Sequence, residues 1–141
     1  MTVGYSGTPL PQKLGIKPGM SMAALNSPPD LDAILGELPD GVTITRRLGG
    51  HRDLVLIFVT RQVDLAARIP SLTSAIAPNG MIWVAWPKKT SGLATDLDFG
   101  FVQQVGLDAG LVDNKTAAID ATWTSVRFVV RLADRPSWPR R

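Results

Sequence analysis

The apolar stretch Leu54-Val55-Leu56-Ile57-Phe58-Val59 decides the fold of this chain. A continuous apolar run of this length, bounded by polar residues, is typical of a strand that is covered on both faces. Strands of that kind belong to parallel sheets with helices packed on each side. The run therefore predicts a three-layer α/β fold in which this strand lies at the centre.

Helical and strand patterns elsewhere supply the partners of this strand. Apolar residues at i, i+3, i+4 and i+7 predict helices, and short β-branched or alternating runs predict strands. The predicted order is strand 20–25, helix 31–38, strand 42–45, strand 54–59, helix 65–76, strand 81–86, helix 95–109, strand 115–119 and strand 126–132. The loop before the last strand is too short for a parallel crossover, so the last two strands are expected to be antiparallel. Together these patterns predict a Rossmann-like, mostly parallel sheet of about six strands with an antiparallel C-terminal pair.

Three local signals set the expected helix boundaries. Pro70 has no backbone N–H, so the helix around it is expected to form two segments, with Pro70 opening the second. The turn sequence Pro78-Asn79-Gly80 is expected to end that helix before the next strand begins. Thr95 and Asp98 form a variant capping box, which is expected to open the following helix.

Length and composition favour one domain. The 141 residues, 45% hydrophobic and 19% charged, suit a single globular core. Residues 1–19 are rich in glycine and proline and are expected to form an irregular leader packed on the domain. Residues 20–132 are the expected Rossmann-like domain, and residues 133–141 are expected to be a flexible basic tail.

The residue types disfavour several classes of function. There is no cysteine, which excludes disulfides, thiolate nucleophiles and zinc–thiolate sites. The net charge is +3, but lysine and arginine are spread singly or in pairs, so nucleic acid is not expected as a partner. No apolar run approaches the ~20 residues of a membrane span, and no basic-then-apolar signal is present. No membrane contact is expected, and the expected location is cytoplasmic.

The turn after the first strand reads Leu25-Asn26-Ser27-Pro28-Pro29-Asp30. Dinucleotide-binding folds place a glycine-rich turn here, so that the backbone approaches the cofactor, and an acidic residue after the second strand for the ribose hydroxyls. This turn has no glycine, and its two prolines remove two backbone donors. After the second strand stand Arg46 and Arg47, a pair that is more often a solvated edge than a phosphate site.

Two resemblances follow from the order of elements and from short motifs. The middle of the chain resembles a trimmed class I methyltransferase fold, which implies methyltransferase-like topology. The resemblance is carried by Arg52-Asp53-Leu54-Val55 at the start of a strand, by Ala77-Pro78-Asn79-Gly80 and by the strand 81–86. A second resemblance, to a small bacterial family of unknown function, covers almost the whole chain and implies no activity. It is carried by the segments 4–10 (GYSGTPL), 86–92 (WPKKTSG), 111–115 (LVDNK) and 122–123 (TW).

Candidate site residues gather at the carboxyl ends of the strands, near the topological switch point where open α/β sheets bind ligands. The segment Pro87–Gly92 is the strongest candidate, because two ammonium groups and two hydroxyls precede a helix N-terminus. This segment is called the lysine loop, and Lys115 could point towards it. Asp96 is expected mainly to cap a helix. His51, the only imidazole, precedes a strand and therefore lies at the end of the sheet opposite the expected site. The candidate set is Asn26, Ser27, Thr60, Arg61, Trp86, Lys88, Lys89, Thr90, Ser91, Gly92, Asp96 and Lys115.

No set of these residues forms a recognisable catalytic constellation, and no metal cluster is evident. The favoured hypothesis is a degenerate, non-catalytic Rossmann-like protein that binds a small anionic or phosphate-bearing ligand, or a protein partner, at the carboxyl end of the sheet. No cofactor is expected, and adenosylmethionine is disfavoured. Two alternatives stay open: an atypical adenosylmethionine-dependent methyltransferase, and an interaction module whose last strand pairs across a homodimer.

Overall fold

A computed structural model describes residues 8–138 of the chain. Within that range the strands are Ser21–Leu25 (β1), Thr43–Thr45 (β2), Arg52–Phe58 (β3), Ile76–Pro87 (β4), Leu111–Ala118 (β5) and Trp123–Val130 (β6). The α-helices are Leu10–Leu14 (α1), Leu31–Leu35 (α2), Gln62–Ala75 (α3) and Phe99–Asp108 (α4), and short 3₁₀ turns cover Lys89–Ser91 and Leu132–Ser137. The predicted α/β class is confirmed.

The six strands of the described residues form one sheet in the order β2-β1-β3-β4-β6-β5. Strands β1 to β4 are parallel to one another, and β6 is antiparallel to both β4 and β5. The mostly parallel sheet with an antiparallel C-terminal pair is therefore confirmed. Strand β3, which carries the decisive apolar run, lies in the middle of the parallel part.

Side chains of β3 alternate between two cores, as a doubly covered strand requires. Val55 and Ile57 face the layer of α3 and α4, whereas Leu54, Leu56 and Phe58 face the layer of α1 and α2. All five are 2% exposed or less. Helices α3 and α4 also cover the strands whose carboxyl ends form the edge where a ligand would bind. Their packing therefore fixes the position of that edge.

Helix α3 is continuous through Pro70, contrary to the expected break. Proline removes one hydrogen bond from a helix interior, but Leu65 and Leu72 are both fully buried against the sheet on either side of it. Burial of two leucines contributes roughly 3–6 kcal/mol, more than the ~3 kcal/mol that an interior proline costs. Tertiary packing therefore holds the helix together.

The Pro78-Asn79-Gly80 turn lies inside strand β4 and does not end the helix, which is a second correction. The pairing of β3 with β4 shifts register between Arg52 and Leu54, so the strand bulges at this point. A Cβ on Gly80 would lie 3.1 Å from the carbonyl oxygen of Asp53. Glycine at this position lets the bulged backbone approach β3. In the sequence alone, a glycine with this role looks the same as a glycine that ends a helix.

Helix α4 begins at Phe99, four residues after the expected capping box. The carboxylate of Asp98 accepts a hydrogen bond from the backbone N–H of Phe101 at 2.8 Å and is the true N-cap. Thr95 lies outside the helix. Further along, Gly106 faces the ring of Phe128, where the structure leaves no room for a Cβ.

The segments on either side of residues 20–132 are more ordered than expected. Residues 10–14 of the expected irregular leader form α1, and Leu14 is fully buried. The indole N–H of Trp83 donates to the carbonyl of Leu14 at 2.8 Å, which fixes α1 on the sheet. At the other end residues 132–137 form a 3₁₀ turn with no buried side chain, and only Trp138 of the described tail residues is buried, at 8% exposure. The domain limits themselves stay a prediction, and motif residues 4–7 lie outside the described range.

Within residues 8–138, no helix has the length and apolar character needed to cross a membrane.

Candidate functional site

The carboxyl ends of the parallel strands form one edge of the sheet. From β1 the chain passes outward to β2, and from β3 it passes the other way to β4, so the topological switch point lies between β1 and β3. Four predicted site residues meet there: Asn26 and Ser27 directly follow β1, and Thr60 and Arg61 follow β3. The structure therefore brings this part of the predicted set together.

The turn after β1 has the backbone conformation that glycine usually supplies. Asn26 has φ 55°, the only positive φ at a non-glycine position among the described residues. Asparagine tolerates the left-handed region better than most residues because its short side chain can hydrogen-bond locally. A sharp turn thus follows β1 without a glycine, and the lack of glycine does not by itself alter the path of the chain.

Arg46 crosses from the end of β2 to this turn. Its guanidinium donates to the hydroxyl of Ser27 and lies 3.8 Å from the carboxylate of Asp32, at the start of α2. The Arg46 side chain is 53% exposed, so the pair is reachable from solvent. Arg46 is solvent-exposed, as the sequence indicates for both arginines, and it also joins three elements: the end of β2, the turn after β1 and α2.

The segment Thr95–Asp96 closes over the end of β3. The carbonyl of Thr60 accepts hydrogen bonds from the Thr95 hydroxyl at 2.6 Å and from the Asp96 N–H at 3.4 Å. The Asp96 carboxylate accepts from the backbone N–H of Gln62 at 2.7 Å, and the Gln62 amide donates back to the Asp96 carbonyl at 2.8 Å. Asp96 does cap a helix, but the helix is α3 and not the one that follows it.

A cleft of about 600 Å³ lies on the other side of this segment, beyond the end of β4. One wall is the loop that follows β4, and the other is the start of α4. The cleft is lined by Trp86, Pro87, Lys88, Lys89, Thr90, Leu97, Asp98, Phe99, Gly100 and Thr124. Four residues of the predicted set, Trp86, Lys88, Lys89 and Thr90, thus share one cavity.

Ser91 and Gly92 shape the lysine loop and do not line the cleft. The Ser91 hydroxyl donates to the carbonyl of Lys88 at 2.7 Å and accepts from the N–H of Leu93 at 3.1 Å. Gly92 has φ 78°, the left-handed conformation that ends the 3₁₀ turn. These two residues of the predicted set therefore have a structural explanation.

Lys115 lies away from the edge. It pairs with Arg127 on β6, which pairs with Trp83 on β4, four residues before Pro87. At the rise of a strand this places Lys115 about 13 Å short of the carboxyl end. The structure does not join Lys115 to the lysine loop, and the predicted contact between them is not formed.

A larger cavity, with a volume of about 740 Å³, lies elsewhere. It is enclosed by α1, the end of α2 and the loop before β2, which is the amino end of the parallel strands. Its lining includes four prolines and no histidine or arginine. The switch point and the neighbouring cleft are the better candidates, because ligands of open α/β sheets bind at the carboxyl ends of strands.

Among residues 8–138, no cluster of histidine, aspartate and glutamate could hold a metal ion. His51, the one histidine of the sequence, lies just before β3 at the amino edge. Sequence reasoning missed Gln62, Asp98 and Phe99 as parts of the site. Phe99 could not be recognised from the sequence, because only the folded structure shows that this aromatic residue at the start of a helix is exposed.

No family model matches the chain, and no curated protein sequence matches it. Solved structures do match. An SAM-dependent methyltransferase from Aquifex aeolicus has a TM-score of 0.61 and 11% identity, over 84% of this chain and 87% of its own. Magnesium protoporphyrin IX methyltransferase from Synechocystis PCC 6803 with bound SAH has a TM-score of 0.57 and 15% identity, over 81% and 75%. A TehB-like SAM-dependent methyltransferase from Corynebacterium glutamicum has a TM-score of 0.52 and 10% identity, over 81% and 82%.

At these identities the likeness establishes a methyltransferase-like Rossmann fold. It also corrects two expectations drawn from the sequence. The preference for a degenerate, non-catalytic protein is overturned in favour of the methyltransferase alternative, because many of the solved neighbours in this fold are methyltransferases. The expectation that no cofactor binds is corrected on the same ground, since two of these neighbours hold SAH or SAM. Both errors came from treating the missing glycine turn as a missing function.

Proposed function

We propose that the chain is an adenosylmethionine-dependent methyltransferase that uses the carboxyl edge of its sheet. The observation that carries the proposal is the strand order β2-β1-β3-β4-β6-β5, in which β6 alone runs opposite to the other five strands, in a fold that many solved methyltransferases share. The order creates a switch point between β1 and β3, and the cleft beyond β4 opens beside it. Cofactor and methyl acceptor would occupy these two neighbouring places.

The residues at the switch point fit an amino-acid group such as the one that adenosylmethionine carries. An α-amino acid presents a carboxylate and an ammonium on the same carbon. Arg46 and Asp32 present the complementary charges side by side, 3.8 Å apart, and the Ser27 hydroxyl lies against the guanidinium. An exposed ion pair contributes about 0–1 kcal/mol, so exchanging it for contacts to a ligand costs little.

The ribose of the cofactor would meet different residues here from those that usually bind it in this type of fold. An acidic residue after β2 is absent, and Arg46 and Arg47 stand there. The hydroxyl of Ser27, the side chain of Asn26 and the carboxylate of Asp30 are the polar groups of the β1 turn that remain to receive hydroxyls. The proposal therefore assigns the carboxylate end of the cofactor to Arg46 and the ribose to the β1 turn.

When bound, adenosylmethionine supplies an electrophilic methyl group: an acceptor atom forms the new bond to carbon, the carbon–sulfur bonding pair stays on sulfur, and the acceptor loses a proton if it carried one. The chain's own contribution is to hold the acceptor in line and to exclude water. Buried Trp86 and Leu97 form an apolar floor of the adjoining cleft, at 7% and 5% exposure. A preformed cleft favours such a transfer by fixing the approach of the reactants.

Isothermal titration with adenosylmethionine and adenosylhomocysteine tests the proposal. Saturable heat with micromolar to millimolar affinity is expected for both ligands. Arg46→Ala is expected to weaken binding about fivefold to tenfold, as loss of a charge-assisted hydrogen bond at an exposed site does. Arg47→Ala is the matched control, since it removes the same charge one residue away from the Ser27 contact. Absence of heat for both ligands at millimolar concentration would refute the proposal.

Four further expectations belong with this proposal. A cytoplasmic location and the absence of nucleic acid as a partner accord with the composition, and the resemblance to a small bacterial family adds no activity. A homodimer stays a prediction, but the last strand does not offer the exposed edge expected of it, because β6 lies between β4 and β5 in the sheet. A homodimer built by strand pairing on this side would have to use the edge strand β5. Two features of β5 oppose it: the register shift between Asp113 and Lys115 bulges the edge, and Lys115 places a charge on it.

A further inference from the structure

The cleft beyond β4 combines apolar walls with a net positive charge, since its lining holds two lysines, Lys88 and Lys89, and one carboxylate, Asp98. Its volume of about 600 Å³ is within the usual range of small-molecule sites, roughly 300–1,000 Å³. Trp86, Pro87 and Leu97 form a buried floor, and Phe99 stands at the rim with 40% of its surface exposed. Leu93, in the loop that leads to α4, is 45% exposed as well. Exposed large apolar side chains beside a cavity indicate a surface that a ligand covers.

The positive charge comes from Lys88 and Lys89. Neither lysine forms a salt bridge among the described residues. The carboxylate in the same wall, Asp98, is engaged as the N-cap of α4 through the N–H of Phe101 at 2.8 Å. An acidic group of a ligand would therefore meet the ammonium groups on the loop side of the cleft, and the start of the helix is already capped.

The backbone beneath these lysines is fixed. The N–H of Lys88 donates to the carbonyl of Thr122 at 2.7 Å, and its own carbonyl accepts from the N–H of Ser91 at 3.0 Å and from the Ser91 hydroxyl. Two side chains thus project from a braced turn. A braced turn lowers the entropy that is lost when the lysines order around a ligand.

We infer that the methyl acceptor is a small, planar, apolar molecule that carries an acidic group such as a carboxylate. The inference rests on the proposed methyltransferase function and names the substrate class of that site. The ring system lies against Phe99 and the floor of Trp86 and Leu97, and the anionic group lies between Lys88 and Lys89. Aromatic rings gain from stacking on Phe99, and the charge sets the orientation of the acceptor in the cleft.

Binding of 2-naphthoate to the purified full chain, without cofactor, tests the inference. Titration calorimetry is run with 2-naphthoate and with its neutral analogue 2-naphthamide. The anion is expected to bind about fivefold to tenfold more tightly, the gain expected from two partly exposed ion pairs. Lys88→Ala with Lys89→Ala removes this preference, and the same two positions changed to arginine retain it. Phe99→Ala weakens both probes equally.

Lys115→Ala is the matched control, because it removes one positive charge about 13 Å from the edge. It is expected to leave the preference for 2-naphthoate unchanged. Equal affinity for the two probes, no binding of either, or a preference that survives the double alanine variant would each overturn the inference. Tighter binding of a tetraglutamate peptide than of 2-naphthoate would also overturn it and assign the lysines to an acidic polypeptide.

The two proposals fail separately. Adenosylmethionine is titrated against the same lysine variants. Because neither lysine contacts the Arg46 group at the switch point, these variants are expected to bind the cofactor as the unchanged chain does. Cofactor binding without a preference for 2-naphthoate removes only the substrate class. A preference for 2-naphthoate in a chain that does not bind adenosylmethionine removes the methyltransferase proposal and leaves a cleft with the inferred ligand chemistry.

Discussion

Gly106 tests how closely α4 packs on the sheet. Alanine in a helix interior normally gains about 1 kcal/mol over glycine. At this position a Cβ would lie 2.6 Å from Cζ of Phe128, whose side chain is 2% exposed. Carbon atoms are comfortable at about 3.5–4.0 Å, so the ring or the helix must move by about 1 Å or more. Overpacking of this size costs about 3 kcal/mol. The net loss for Gly106→Ala is therefore about 2 kcal/mol.

Urea denaturation and thermal unfolding measure this loss. A destabilisation of about 2 kcal/mol corresponds to a fall of about 8 °C in Tm for a chain of this size. Gly100→Ala in the same helix is the control: the nearest atom to its Cβ is Oδ1 of Asp98 at 3.6 Å, an ordinary contact, and a gain of about 0.5 kcal/mol is expected. Phe128→Leu should offset much of the Gly106→Ala loss in the double variant. If Gly106→Ala raises Tm as Gly100→Ala does, the packing argument is refuted.

Three other substitutions test single contacts by the same unfolding measurements. Asp96→Ala should lower the free energy of unfolding by about 1 kcal/mol, because the first N–H of α3 loses its cap. Asp64→Ala, in the first turn of the same helix, should lower it by only about a few tenths of a kcal/mol, and equal losses would contradict the capping role. Trp83→Phe should cost about 2–4 kcal/mol, since it leaves the carbonyl of Leu14 unpaired and opens a void under α1; a loss below 1 kcal/mol would show that α1 docks by other means. Ser125→Ala should cost about 1 kcal/mol through its buried hydrogen bond to β5, and an unchanged urea midpoint would contradict this.

The sequence predicted the sheet because its strongest signals are local. Leu54–Phe58 is apolar throughout and can be satisfied only between two layers, and the short loop at 119–122 permits only antiparallel neighbours. Helix and strand boundaries were less predictable. Pro70 and the Pro78–Gly80 turn are both breaking signals in isolation, yet burial of Leu72 and the bulge against β3 override them. Such long-range contacts have no trace in a short window of sequence.

The candidate site was predictable as a place but not as a set of contacts. Asn26, Ser27 and Thr60 lie at the switch point because the strand order alone puts them there. Asp96 was correctly interpreted as a cap, yet its partner helix precedes it by more than thirty residues in sequence. The role of Arg46 depends on Ser27 and Asp32, which are distant in sequence, so a residue-by-residue reading could assign it only to the solvated surface.

The connection between the two halves of the site is the segment Thr95–Asp96. Strands β1 and β4 flank β3 and are about 10 Å apart across it, and β4 runs three residues beyond the level at which β1 ends, so the two ends lie about 14 Å apart. Between them, Thr95 and Asp96 are tied to Thr60 and to the start of α3. This tether fixes the loop that continues through Leu97 to the cap of α4, and that loop is one wall of the cleft. The width of the acceptor cleft is therefore set by contacts made at the end of β3. A cofactor held at β1 and an acceptor held beyond β4 would meet across this single strand, at a separation that the sheet itself determines.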